Sequence, residues 1–237
     1  MTTSGTTSFN LELDELFDEA YGRVGIGTAR SGNHLKTARR NLNILLSEWD
    51  NRGVHLWKVK LAVIPLVLGQ AEYNYTTDPT NYPNDINDVL EAYIRNNTTA
   101  TAPVDTSLTK IDRSAYAALP NKLSQGTPSQ YFVQRFVDKT TFTIYPTADS
   151  SNASKDIHFY YVKRIQDAGS YSNDADVPYR FVPCMIMGLS YYLALKYAPQ
   201  RVQELKLLYE DELKRAESED GSSNSTYISP KIYYPGV

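Results

Sequence analysis

Residues 31–57, SGNHLKTARRNLNILLSEWDNRGVHLW, hold the transition on which the fold turns. Leu35, Ala38, Leu42, Leu45, Leu46 and Trp49 recur at helical spacing, while Lys36, Arg39, Arg40, Asn43, Ser47 and Glu48 fall mostly on the other side. That pattern predicts one amphipathic helix of about five turns. Ser31 or Asn33 can accept from the free amides of its first turn. Asn51-Arg52-Gly53 supplies a basic last turn and a glycine that tolerates a left-handed cap. After Gly53 the period drops to two, so His55 to Ile64 reads as a strand and the glycine is where a helical layer hands the chain to a sheet layer. Trp49 and Trp57 read as large core residues at this corner.

Upstream, residues 1–9 are rich in Ser, Thr and Gly, and read as a flexible end. Asn10 can cap a first helix with Leu11, Leu13, Leu16, Phe17 and Tyr21 as its apolar stripe. Glu12, Asp14, Glu15, Asp18 and Glu19 make its first half acidic, which suits the positive end of a helix. Gly22, Gly25 and Gly27 interrupt it, and with no preceding strand and no complete GxGxxG they read as a helix–helix turn.

Downstream of the central helix the pattern is β-like. A short strand with Tyr73 and Tyr75 follows the turn at Gly69-Gln70, Asn87–Arg95 alternates, and Ser107–Ile111 can extend. A short helix from Arg113 is stopped by Pro120. Tyr131–Phe136, Thr141–Tyr145 and Ile157–Val162 are three more β-like runs, the last two joined by an expected hairpin-like turn at Asp149–Ser154. Strands at this spacing predict an antiparallel sandwich or small barrel.

The helical period returns after Pro178. Val182, Met185, Ile186, Leu189, Leu193 and Tyr197 form a broad apolar face, with Gly188, Ser190 and Ala194 small enough for close helix contact. Ala198-Pro199 separates this helix from another carrying Val202, Leu205, Leu208, Tyr209, Leu213 and Ala216. Amphipathic helices of this length are marginal alone, so the expected fold is α+β. The expectation is a helical bundle from residues 10–53 and 179–218, with 54–178 inserted as an antiparallel β-rich domain and 219–237 as an extended arm. The arm holds Tyr227, Ile228, Ile232, Tyr233 and Tyr234 between prolines, and can lie extended on another surface.

Composition narrows the function. A formal charge of −3 supplies no basic field for stable phosphate binding. There are 19 Tyr against 7 Phe and 2 Trp, a mild signal of extensive interfaces. The single Cys184 lies in an apolar run and reads as a buried hydrophobe. The N-terminus has neither a basic start nor an apolar core, and no stretch approaches bilayer-spanning length, so a soluble protein made in the cytoplasm is expected, without a membrane partner. His34, His55 and His158 have no metal-ligand spacing, and HExxH, GxSxG, P-loop and CxxC motifs are missing. Asp174 and Asp176 lack the other ligands of a calcium loop. No catalytic residue, metal ligand or cofactor is expected.

Four segments carry a resemblance: LNILLSEWDNRGVHLWKV (42–59), IDRSAYAALPNKLSQGTPSQYFV (111–133), TFTIYPTAD (141–149) and VPYRFVPCMIMGLSYYLALKYAP (177–199). Together they resemble the head-to-tail adaptors of tailed bacteriophages, the tail tubular protein A-like or head completion proteins. The resemblance implies a structural virion protein at the head–tail interface. It would form a ring, commonly twelve-fold, beneath the portal, extend the DNA channel without binding DNA specifically, and offer a platform to the nozzle or other tail proteins. It transfers no catalytic residues. Tyr227, Ile228, Ile232, Tyr233 and Tyr234 are the candidates for docking on the portal or a neighbouring subunit. The alternative from another class is a carbohydrate-binding or cell-wall-degrading tail component, which would need exposed Trp and Tyr.

Overall fold

The computed structural model describes Gly5 and residues 11–27, 31–54, 56–96, 102–170 and 172–220. It is a mixed α/β structure that divides into two compact units, one of residues 1–45 with 170–237 and one of residues 46–169.

In the first unit, α1 (Leu13–Val24) and α2 (Gly32–Arg52) precede α4 (Val182–Tyr197) and α5 (Val202–Asp220) in the chain. Helix α2 continues past Leu45 into the second unit. Both α1 and α2 stop by the same device. Gly25 and Gly53 adopt left-handed φ of 90° and 78°. In each, the following amide reaches back to a carbonyl five residues earlier, Ile26 to Tyr21 at 3.0 Å and Val54 to Trp49 at 3.3 Å. This is the double bond pattern that satisfies the last carbonyls of a helix. Asn10 lies outside the described residues; the residue preceding α1 is Glu12, whose side chain makes no cap hydrogen bond.

Helix α1 packs on α4, and α4 on α5. Leu13, Leu16, Phe17, Ala20 and Tyr21 are buried on α1, and Leu205, Tyr209, Leu213 and Ala216 on α5. Leu208, expected on that inner stripe, is 40% exposed. The buried set follows 205, 209, 213 and 216, which leaves 208 on the flank of the stripe. Gly188 of α4 stands against Leu45 and Tyr209: a methyl added there would come within 2.7 Å of a Leu45 Cδ and 2.9 Å of Tyr209 Cε2.

The second unit is built on one seven-stranded sheet of order β1-β9-β3-β4-β6-β7-β2. Its strands are β1 (Val59–Pro65), β2 (Glu72–Tyr73), β3 (Ile86–Asn96), β4 (Val104–Lys110), β6 (Gln130–Arg135), β7 (Thr140–Tyr145) and β9 (Asp156–Lys163). Helix α3 (Arg113–Ala118) and β5 (Gln125–Gly126) lie between β4 and β6, and β8 (Thr147–Ala148) pairs in parallel with β5. A turn of 3-10 helix at Leu56–Lys58 precedes β1, so the strand starts later than its alternation predicts.

Three expectations are corrected by this topology. The sheet is mixed, because β4 runs parallel to β6. It is one curled half-barrel rather than a sandwich, and the reason is chain length. Six residues join β1 to β2, which are the two edges of the sheet. Seven backbone steps of about 3.5 Å reach roughly 24 Å, whereas six flat inter-strand spacings of about 4.8 Å would put the edges roughly 29 Å apart. Finally, Asp149–Ser154 is no hairpin, since β7 pairs with β6 and β2 while β9 pairs with β1 and β3. It is a crossover turn held by the Asp149 carboxylate, which accepts from the Ser151 and Asn152 amides at 3.0 Å each and from the Ser151 hydroxyl at 2.7 Å. Those bonds draw the Asp149 carboxyl below the usual carboxylate range.

The concave face is filled by aromatic rings. Tyr131 stacks on Phe142, and Phe142 on Phe159, with centroids 5.1 Å apart in both cases. Ile64, Val89, Ile144 and Ile157 are fully buried around them. The Tyr131 phenol is pushed up to about 12, first by burial and then by Asp88 and Glu91, so it serves as a donor, at 3.1 Å from the Leu90 carbonyl.

Candidate functional site

The residues singled out in the arm, Tyr227, Ile228, Ile232, Tyr233 and Tyr234, lie outside the described residues, as does His55. The other two histidines are structural. Tyr21 donates to the His34 carbonyl at 2.7 Å, and the His34 ring meets Tyr197 edge-on with centroids 5.4 Å apart. His158 is buried on the convex side of the sheet, beneath Tyr93 at 5.1 Å and an interplanar angle of 15°. Its ring nitrogens have no hydrogen-bond partner among the described residues.

Cys184 is buried, its Sγ 3.1 Å from the Phe181 carbonyl. Burial pushes the thiol up to about 12, which removes the thiolate needed for nucleophilic work. Among the described residues no group of three or more His, Cys, Asp or Glu is placed to hold a metal ion, and no helix is long and apolar enough to cross a membrane. Glu12 bridges to Asp174 in a single antiparallel backbone pairing, and the Leu13 amide donates to the Asn173 carbonyl at 3.2 Å. That segment is therefore occupied in starting α1.

A hollow of about 420 Å³ opens where β4 leaves β3 for β6, lined by Leu90, Tyr93, Asp105, Ser107, Lys110 and Tyr131 among others. Three of its polar side chains, Asp105, Lys110 and Tyr131, are engaged within the sheet. Lys110 Nζ donates to the Val89 carbonyl at 2.6 Å, replacing the ladder bond that β4 no longer provides there. Tyr131, a neutral phenol, is a donor there as well.

What the unit does present is a surface. On the convex side, register aligns Leu61 with Tyr160 and Val63 with His158, and His158 with Tyr93. Leu61, Val63 and Tyr160 are 45%, 44% and 39% exposed. Beside them Arg95 grips Asp105 by two bonds of 2.7 Å and lies 5.4 Å from the Tyr93 ring centroid. An exposed apolar row edged by an Arg–carboxylate pair has the composition of a contact face. Sequence reasoning placed these strands but missed the row. Its signal was present in the outward positions 61, 63 and 160, which carry Leu, Val and Tyr where a solvated face carries polar residues.

No protein-family model matches this chain, and no curated protein sequence matches it.

Proposed function

We propose that the chain is a structural head-to-tail adaptor of a tailed bacteriophage. Copies of it form a ring beneath the portal, twelve-fold in the usual arrangement, which prolongs the DNA channel and receives the nozzle or tail. In this reading α1, α2, α4 and α5 act as one helical bundle, and the convex side of the β-rich unit supplies contact surface. The observation that carries the proposal is the order of the four resembling segments, which run from α2 through the sheet strands to α4. Unpaired apolar area on the sheet supports it, because a ring subunit needs two lateral and two axial faces.

The arm residues Tyr227, Ile228, Ile232, Tyr233 and Tyr234 dock on the portal or a neighbouring subunit. The glycan-binding or cell-wall-degrading alternative is less favoured: Trp49, one of the 2 tryptophans, is completely buried and can offer no sugar platform.

Electron microscopy of purified protein mixed with purified portal tests the reading, with a collar at the narrow end of the portal as the expected image. Deleting residues 221–237 should weaken portal binding by at least about tenfold, or roughly 1.4 kcal/mol. Unchanged binding by the truncated chain would remove the arm from the proposal. Release of soluble fragments from peptidoglycan by the intact chain would replace it with the alternative.

A further inference from the structure

The exposed side of α2 breaks a local rule. Its first turn contains no acidic residue, and Lys36, Arg39 and Arg40, all exposed, follow within the next turn and a half. Lys36 and Arg40 are also four apart, a like-charge spacing that destabilises an isolated helix. No acidic side chain among the described residues lies within ion-pair distance of these three cations. At the end of the same strip Ile44 is 51% exposed.

Helix α1, in the same compact unit, carries the opposite charge. Asp14, Glu15, Asp18 and Glu19 are exposed on the side facing away from its buried stripe. Glu19 makes one surface pair with Arg23 at 2.7 Å, of the exchangeable kind that contributes little, and Asp18 also has a partner within its own copy, so docking would exchange these contacts. At 1.5 Å per residue, Asp14–Glu19 and Lys36–Arg40 each span about 6–8 Å of helix axis, so the two charge rows match in length.

We infer that the exposed face of α2, Lys36, Arg39 and Arg40 with Ile44, docks on the acidic face of α1, Asp14, Glu15, Asp18 and Glu19, of a second copy. A two-fold contact of either face with itself sets like charges against each other. The complementary pairing uses two different faces of every copy, and where those faces meet two different neighbours it is head-to-tail and propagates into a closed ring or an open filament, the arrangement the ring reading requires. The inference deepens the ring reading and rests on it for closure. Phosphate is the weaker candidate for the basic strip, because the chain is net negative and Ile44 adds apolar surface to the same strip.

Two charge reversals test the contact. K36E/R39E/R40E makes both faces acidic, and D14K/E15K/D18K makes both basic. Circular dichroism melts check folding, and D14N/E15Q/D18N serves in place of the second if it does not fold. Sedimentation velocity at about 50 mM and about 500 mM salt, on either side of the range where screening becomes strong, reads association. Each reversal alone should weaken self-association at least about tenfold, and an equimolar mixture of the two reversals should restore it to within about threefold of the unmodified chain. With the neutral variant, the expected result is intermediate association that no longer responds to salt.

A mixture that associates no better than its components overturns the inference, as does failure of both the unmodified chain and the mixture to associate at hundreds of micromolar. Binding of duplex DNA by the unmodified chain that K36E/R39E/R40E abolishes would reassign the strip to phosphate. Gold labelling of the chain in whole particles reads the adaptor proposal separately. A labelled neck with failed charge exchange leaves the ring to other faces, and restored association with an unlabelled neck leaves the contact but ends the adaptor reading.

Discussion

Gly188 has no side chain because Leu45 and Tyr209 occupy the place where one would stand. Gly188→Ala should therefore destabilise the protein by about 1–3 kcal/mol, the usual range for overpacking a filled core. Gly22 gives the contrast within the same unit. It is helical, exposed and has open space around its missing Cβ, so Gly22→Ala should be neutral or stabilise by up to about 1 kcal/mol through helix propensity. Urea melts of the two variants check the pair, and equal effects would mean that close approach at Gly188 is not what the structure indicates.

His158 is the other residue whose surroundings make a measurable claim. Burial first, and Arg95 second, hold its imidazole below the ordinary value of 6.5, while Asp156 and Asp105 act the other way. The sign follows from linkage. With the folded value depressed, the unfolded chain takes up the proton first as pH falls, so stability is intact above the unfolded value and declines as pH drops through about 6.5. Stability measured from pH 8 to pH 5 should fall more steeply in the unmodified chain than in His158→Phe, which keeps a ring beneath Tyr93 and cannot titrate. Identical slopes would contradict the burial of the imidazole.

At the scale of elements, the joint between α2 and α4 is the one that matters for treating the helices as one body. Leu45→Ala should cost about 2–5 kcal/mol, since Leu45 is fully buried. The sharper expectation is non-additivity. Removing the Leu45 side chain clears most of the space an alanine at 188 needs, so L45A/G188A should lose at least about 0.5 kcal/mol less than the sum of the single changes. Strict additivity in the double-mutant cycle would place Leu45 elsewhere and weaken the bundle within the proposed function. On the solvent side Glu48 makes an i,i+4 pair with Arg52, and Glu48→Ala should cost only about 0.5 kcal/mol.

For the whole molecule, division into two compact units predicts that damage stays local. Phe142→Ala removes the middle ring of the Tyr131–Phe142–Phe159 stack and should cost about 3–5 kcal/mol. Hydrogen exchange followed by mass spectrometry should then accelerate chiefly in β6, β7 and β9, with α4 and α5 much less affected. Uniform acceleration would mean that the chain opens as a single cooperative body. The proposed role makes its own demand at this scale, and the truncation of residues 221–237 answers it through portal binding.

The sequence by itself determined those features that depend on neighbours in the chain. The buried stripe of α2 through Leu42, Leu45, Leu46 and Trp49, the glycine stop at Gly53 and the first-turn Pro183 of α4 are written in residues a few positions apart. Sheet order was not legible there. Nothing local records that β1 and β2, six residues apart, become opposite edges of a half-barrel, or that β9 slips between β1 and β3. Strand alternation specifies a face and not a partner, so partner choice waits for the tertiary core to form. For the same reason the clash that requires glycine at 188 and the covered imidazole at 158 belong to the folded structure alone: the first is made by Leu45 and Tyr209 on two other helices, the second by Tyr93 on another strand.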